Sequence, residues 1–176
     1  MATVKSFELA PPGPAANLLL IAAALLPALV TAAVWAGDPA AFEAVPAWAL
    51  VMIILFGPVL IGFGLLHARN PRIELDAVHL TLRLGLIRTR WRRTDLQVQQ
   101  ARLLDLDGER DWQPRWKLFG AALPGLQSGL FRLRNGRNAR VYLTARQAVV
   151  LLPTQRSPIL LSLVRPRDFL AALQSA

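Results

Sequence analysis

The chain has 176 residues, a formal net charge of +9 and no cysteine. Without cysteine, a disulfide framework, a thiolate metal site and a cysteine nucleophile are excluded. The charge is unevenly distributed: nineteen of the twenty basic residues lie at or after Arg69, and the part before it carries only Lys5, Glu8, Asp38 and Glu43. This shift predicts two regions, an apolar one at residues 1–71 and a basic domain at residues 72–176.

The apolar region contains two predicted transmembrane helices, at about residues 18–36 and 46–67. The first belongs to an uncharged run from residue 9 to residue 37, and the second to an uncharged run from residue 44 to residue 68. At ~1.5 Å per residue, each is long enough for a hydrocarbon layer of ~30 Å. A central charge would cost about 3 kcal/mol, and neither helix contains one. Two helices that are apolar around their whole circumference argue against a soluble protein.

The short acidic connection at residues 37–43 predicts that these helices form an antiparallel hairpin. Lys5 precedes the first helix, and Arg69 and Arg72 follow the second. The positive-inside rule therefore predicts a multi-pass protein with both termini in the cytoplasm. A cleavable signal sequence is the alternative, because small residues occupy positions 32–33 and 36–37. Glu8 and the length of the run argue against it.

Small residues within the first helix suggest a packing surface. Ala24, Ala28 and Ala32 recur every four residues, which would form a strip for close approach of the second helix. The same spacing also arises by chance in an alanine-rich segment. Pro27 and Pro58 predict bends, which a bilayer tolerates when neighbouring groups satisfy the freed carbonyls.

After residue 72 the apolar residues alternate with period two, which is typical of half-buried strands. Asn135-Gly136 favours a type I′ hairpin turn, and Pro166 precedes an amphipathic helix. The content predicts a small barrel or sandwich of about seven antiparallel strands with a C-terminal helix. The predicted elements are strands at 73–75, 79–84, 86–91, 148–152 and 158–164, a hairpin at 128–144, a strand or helical turn at 95–104, and an exposed loop at 105–111.

A family resemblance is visible in the second half of the chain. Residues 116–131 contain the pattern G-x-x-x-P-G-x-x-x-G-x-F, formed by Gly120, Pro124, Gly125, Gly129 and Phe131. This stretch, together with residues 160–170, resembles the bacterial pleckstrin-homology-like (PH-like) domains. Such domains commonly follow a pair of transmembrane helices, so the resemblance implies a PH-like fold on a membrane hairpin in the bacterial inner membrane. It implies structure more than activity.

Arginines supply the candidate contact residues. On alternating strand positions they would project from one face, where each can gain about 1 kcal/mol beside an anionic leaflet. The alternative is an ordinary solvated face. The candidates for lipid or partner contact are Arg88, Arg90, Arg92, Arg132 and Arg134.

No pattern of catalytic, metal-binding or cofactor-binding residues accompanies the two histidines, His67 and His79. We therefore expect no enzyme activity and no cofactor. The sequence favours a non-enzymatic membrane adaptor that presents its PH-like domain to anionic lipid or a cytoplasmic protein. The alternative is an accessory subunit of a membrane transport or envelope complex. Nucleic-acid binding is disfavoured by membrane confinement.

Overall fold

The computed structural model describes residues 4–37, 45–46, 48–52, 55–56, 59, 71–84 and 87–175. Helix α1, Pro14–Gly37, begins with a proline, whose missing N–H costs nothing in the first turn. The Gly13 carbonyl accepts from the Ala16 N–H at 3.0 Å and from the Asn17 N–H at 3.4 Å. At 24 residues, α1 is about 36 Å long.

Helix α1 is apolar and exposed around its circumference. Its most apolar 18-residue window has a mean hydropathy of 2.4, and 6% of that window is buried. Within the described ranges, α1 alone is long and apolar enough to cross a membrane. Its single hydroxyl is satisfied internally, because Thr31 Oγ1 donates to the Pro27 carbonyl at 2.8 Å.

Most of the second predicted transmembrane helix, residues 46–67, lies outside the described residues. Those that are described at 48–52, 55–56 and 59 are helical. Large apolar side chains at these positions are at least half exposed, namely Trp48, Val51, Met52, Leu55, Phe56 and Val59. The transmembrane hairpin itself stays a prediction.

The first sheet has four antiparallel strands in the order β1-β2-β3-β4. They are β1 Lys5–Glu8, β2 Arg72–Leu75, β3 His79–Leu84 and β4 Ile87–Arg92. The alternation seen in the sequence places Ile73, Leu80 and Leu82 in the core. Strand β1 was not predicted: it precedes α1, yet it pairs with β2, which follows the second apolar segment.

The N-terminal segment also contacts the second sheet. Val164 donates its N–H to the Glu8 carbonyl at 3.1 Å, and Ala10 donates to the Ser162 carbonyl at 2.9 Å. Leu9 is 3% exposed and forms an isolated antiparallel β-bridge with Leu163. Residues 5–10 therefore close the gap between the two sheets.

The second sheet has six strands in the order β5-β9-β10-β8-β7-β6. Strand β10 is antiparallel to β9 but parallel to β8, so the prediction of wholly antiparallel strands is wrong at that pair. Strands β9 and β10 are buried at every position, as expected for central strands covered on both faces. The six strands are β5 Arg102–Leu104, β6 Pro114–Leu123, β7 Leu126–Leu133, β8 Asn138–Leu143, β9 Val149–Leu152 and β10 Ile159–Leu161.

Two apolar clusters pack against opposite faces of this sheet. The main core lies between the first sheet, the C-terminal helix and one face, which contributes Val150 and Leu161. The second cluster includes Val149 and Leu160 from the other face. Strand alternation alone sorts neighbouring residues into different clusters.

The C-terminal helix α2, Pro166–Ser175, confirms the predicted proline start. Its apolar side chains Phe169 and Leu173 are fully buried in the main core. Phe7 of β1 packs edge-on against Phe169 at 5.2 Å between ring centroids. Arg93 donates from Nη2 to the Leu173 carbonyl at 2.9 Å, so a cation lies at the C-terminal end of the helix, where its dipole favours one.

The turn at Asn135-Gly136 differs from the predicted type I′ turn. Gly136 has a φ of +80°, but Asn135 is not among the positive-φ residues. Gly136 donates its N–H to the Leu133 carbonyl at 3.1 Å, and Asn135 Oδ1 accepts from the Arg137 N–H at 3.0 Å. This is the longer hairpin connection in which only the glycine is left-handed.

Candidate membrane-contact surface

The two ends of the apolar region meet at one place on the domain. Leu9, five residues before α1, donates its N–H to the carbonyl of Pro71 at 3.0 Å. Gly13, immediately before α1, donates to the Gly125 carbonyl at 3.3 Å. The chain therefore leaves the domain towards α1 and returns to it within hydrogen-bonding distance.

Next to this point, a row of charged residues crosses the first sheet. Glu8 pairs with Arg72, Arg72 with Arg83, and Arg83 with Arg88. Cross-strand partners project from the same face, and like charges directly opposite destabilise a sheet unless an anion lies between them. Glu74 supplies one such anion, with its carboxylate 3.0 Å from Arg83 Nε. The three arginines outnumber the two carboxylates, so the row keeps a net positive charge.

The predicted β4 arginines, Arg88, Arg90 and Arg92, are all exposed on one face of that strand. Arg88 belongs to the cross-strand row, whereas Arg90 and Arg92 lie roughly 7 and 13 Å farther along the strand from Pro71. Arg90 Nη2 donates to His79 Nδ1 at 3.0 Å, which requires a ring nitrogen without a proton at that position.

The other two predicted arginines lie on the second sheet. Arg132 is exposed on β7 and pairs with Trp116 of β6. Arg134 follows β7, at the end opposite Gly125. The arginine candidates therefore form two groups on different sheets. Arg134 lies beyond the end of β7 that is farther from the start of α1.

The family-motif residues shape the β6–β7 hairpin. Gly125 has a φ of +79° after Pro124, as a type II turn requires. Gly120 and Gly129 face each other across the hairpin with φ values of +117° and +130°, and a Cβ on either would overlap the opposite backbone. Phe131 is buried in the second apolar cluster. These five residues have structural roles.

The predicted alanine strip is partly buried. Ala24 is 3% exposed, whereas Ala28 and Ala32 are exposed. Ala24 and Ala16 are the buried residues of α1. Two of the three positions of the strip are therefore open to a partner, and other alanines of α1 are exposed as well.

Two carboxylates of the acidic loop after β5 pair with arginines. Arg102 forms a two-pronged pair with Glu109 at 2.8 and 2.5 Å, which lowers the pKa of the Glu109 carboxyl and raises the pKa of Arg102. Arg146 Nε lies 2.6 Å from Asp107. Among the described residues, no group of three His, Asp or Glu side chains converges on a metal site. His67 lies outside those residues.

Sequence reasoning missed Arg72 and Arg83 as members of the basic surface. Arg72 is next to the apolar region and Arg83 is isolated between leucines, so neither belongs to an arginine run. Only the register, which joins positions 72, 83 and 88, brings them together. No local signal in the sequence encodes that register.

The described residues form a small, mainly-β domain with two sheets and a C-terminal helix, joined to at least one apolar helix. The chain belongs to the bacterial PH domain family, whose model matches residues 87–176. The predicted family is thus confirmed. PH domains are generally non-catalytic modules that commonly bind lipids or proteins. The match begins at β4, so β1 to β3 extend the domain beyond it. No curated protein and no solved structure matches the chain.

Proposed function

We propose that this protein is a non-enzymatic membrane adaptor, in which a transmembrane hairpin holds a PH domain at the cytoplasmic face of the bacterial inner membrane. The domain there binds anionic lipid headgroups through the arginine row of the first sheet. The observation that carries this proposal is the pairing of β1 with β2 across the whole apolar region.

That pairing constrains the topology. Strands β1 and β2 share hydrogen bonds, so Glu8 and Arg72 lie on the same side of any membrane. The chain between them must then cross an even number of times. If α1 crosses once, the second apolar segment at residues 44–68 has to return, which gives the predicted hairpin. The basic domain favours the cytoplasm for both ends.

The position of the arginine row supports lipid as the ligand. Arg72 follows the apolar region directly and pairs with Arg83, which in turn pairs with Arg88. The potential of an anionic leaflet falls off within about 10 Å, so this row gains more from lipid than Arg92 does. A cytoplasmic protein with an acidic surface is the rival ligand for the same residues.

An accessory role in a transport or envelope complex is the second candidate. The exposed Ala28 and Ala32 on α1 favour it, because small residues let a partner helix approach closely. Crosslinking from Ala28 in native membranes tests this role. A stoichiometric membrane partner would support it.

Topology is tested with reporter fusions placed after Gly37 and at the C terminus of the full chain. We expect the first reporter to be active outside the cytoplasm and the second inside. A C-terminal tail that is labelled from outside the cell would contradict the proposal.

Lipid binding is tested by native mass spectrometry of the full-length protein released from detergent. We expect the protein to retain phosphatidylglycerol in preference to phosphatidylethanolamine. Changing Arg72, Arg83 and Arg88 together to Gln should reduce this preference by at least about tenfold, since each contributes about 1 kcal/mol. A charge-matched control changes the exposed arginines Arg110, Arg137 and Arg156 to Gln.

The control variant should keep the lipid preference. Equal losses in both variants would show that lipid responds only to the overall positive charge of the domain. That result would contradict a specific site in the arginine row. A wild-type protein without any lipid preference would leave a protein ligand as the function of this face.

A further inference from the structure

Strand β6 exposes more large apolar surface than any other strand with described side chains. Trp116, Leu118 and Phe119 are 62, 50 and 74% exposed. Arg115 and Lys117 alternate with them on the same strand, and the Arg115 guanidinium lies 5.8 Å from the Trp116 ring. Bulky rings beside basic side chains are typical of residues at the boundary between lipid and water.

The register puts the two aromatic side chains on one face. Trp116 pairs with Arg132, and Phe119 pairs with Leu130. Arg132 and Leu130 are two residues apart on β7 and so project from the same side of the sheet. The exposed rings and the Arg132 cation therefore form one amphipathic surface.

The turn of the hairpin that carries this surface lies next to the start of α1. Its turn at Gly125 accepts a hydrogen bond from Gly13, the residue before α1. Phe119 lies four residues from Leu123 at that turn, roughly 13 Å along the strand. Between them, Gly120 and Gly129 face each other with a positive φ in both strands. The aromatic surface therefore belongs to the hairpin whose turn lies at the start of α1.

Strand addition by a protein is disfavoured at this edge. β6 begins with Pro114, which has no N–H to donate, and its pairing with β7 shifts register twice, between Pro114 and Trp116 and between Lys117 and Phe119. Proline, bulges and lysine are the features by which proteins protect an edge strand from pairing. The side-chain surface of β6, and not its backbone edge, is thus the part suited to contact.

We propose that β6 is a second membrane anchor, with Trp116 and Phe119 inserted among the lipid headgroups of the bilayer that α1 crosses. Arg132 faces the lipid phosphates beside them. The inference rests on the proposed insertion of α1. It assigns to the domain a fixed orientation on the membrane, with the β6–β7 hairpin lying against the lipid as a shallow interfacial segment.

The absence of native cysteine allows single-cysteine labelling of the full-length protein. Phe119→Cys, carrying a nitrobenzoxadiazole fluorophore, is reconstituted into vesicles of phosphatidylglycerol and phosphatidylethanolamine. Two matched positions are labelled separately: Gln155→Cys in the exposed loop between β9 and β10, and Leu25→Cys on α1. Quenching is measured with lipids that carry a nitroxide at shallow or deep positions, and with aqueous iodide.

We expect the label at position 119 to emit at a shorter wavelength than the label at 155, and to lose more than about half of its emission to the shallow nitroxide. Iodide should quench position 155 and spare position 119. A Trp116→Ser change in the same chain should reduce the shallow quenching at 119, because the neighbouring anchor is removed.

Three results would overturn the inference. Iodide quenching at 119 equal to that at 155 places β6 in water. Protection at 119 from both iodide and nitroxide places β6 against a second protein copy. If Leu25 is not quenched by the deep nitroxide, α1 does not insert and the proposed function also fails. If Leu25 is quenched while 119 stays in water, the anchor alone is wrong.

Discussion

The two sheets end in edge strands of opposite character. β1 is four residues long, yet its segment is bonded to β2 on one side and to residues 162–164 on the other, with Leu9 buried. β6 is ten residues long, pairs only with β7 among the described strands, and is exposed along most of its length. Length and hydrophobicity therefore do not identify the strand that holds a fold together. The shorter and more polar strand has the larger structural role.

Deletion of residues 4–10 from the full chain should have the largest effect. It removes the buried Leu9, whose truncation to alanine alone would cost about 2–5 kcal/mol, and leaves backbone groups of two strands unpaired. The domain should then be cleaved rapidly by protease in detergent. Trp116→Ala on β6 is the control, with an expected change within about 0.5 kcal/mol. Equal protease resistance of the deletion variant and the wild type would remove the distinction between the two strands.

Gly129→Ala should have the next largest effect, since it strains the backbone where β6 and β7 approach each other closely. The new Cβ overlaps the Phe119 carbonyl at a φ of +130°, so we expect a loss of roughly 3 kcal/mol. Gly136→Ala is the matched control: its φ is +80° but nothing lies within 4 Å of the new Cβ, and about 1 kcal/mol is expected. Thermal unfolding measures both. Equal losses would show that backbone conformation, and not contact across the hairpin, causes the loss of stability.

Tyr142 gives the smallest and most specific effect, because it reports on the core that β1 closes. Burial raises the pKa of Tyr142 to about 12, from an ordinary value near 10. The contribution of the neutral Tyr142 side chain to the free energy of unfolding is complete below pH 10. It is lost as the pH rises from 10 towards 12, because the unfolded chain releases the proton first. The loss is on the order of 2 kcal/mol.

Tyr142→Phe should remove this alkaline component. Unfolding by denaturant at pH 8 and at pH 11, compared between the two proteins, isolates it from the titration of other groups. A Phe variant that loses as much stability as the wild type between these pH values would show that water reaches the hydroxyl.

Several elements followed from local sequence patterns. The strands at 79–84 and 148–152 and the helix from Pro166 carry strong periodicity or a proline start, and the structure contains them at nearly those bounds. The family stretch at residues 116–131 was recognised from its glycines, although β6 itself was not predicted. Its residues from Arg115 to Gly120 are all exposed, so burial imposes no alternation there.

The remaining features depend on pairing between distant residues. β1 has four residues and is separated from its partner strand β2 by the whole apolar region, so no local pattern predicts it. The arginine row depends on how the strands of the first sheet are aligned with one another. The parallel pair of β8 and β10 depends on the connection that crosses over between these two strands. Arg88, Arg90 and Arg92 were placed on one exposed face because alternation needs no knowledge of the partner strand. Their role in binding stays a prediction.

The early position of β1 has a consequence for biogenesis. Residues 5–8 leave the ribosome before both apolar segments, but β2, the strand with which they pair, is synthesised after them. On the proposed topology, a chain in which only one of the two apolar segments inserts leaves β1 on the opposite side of the bilayer from β2. Such a chain keeps an open core that proteases can attack, so completion of the domain acts as a built-in check that both segments have inserted.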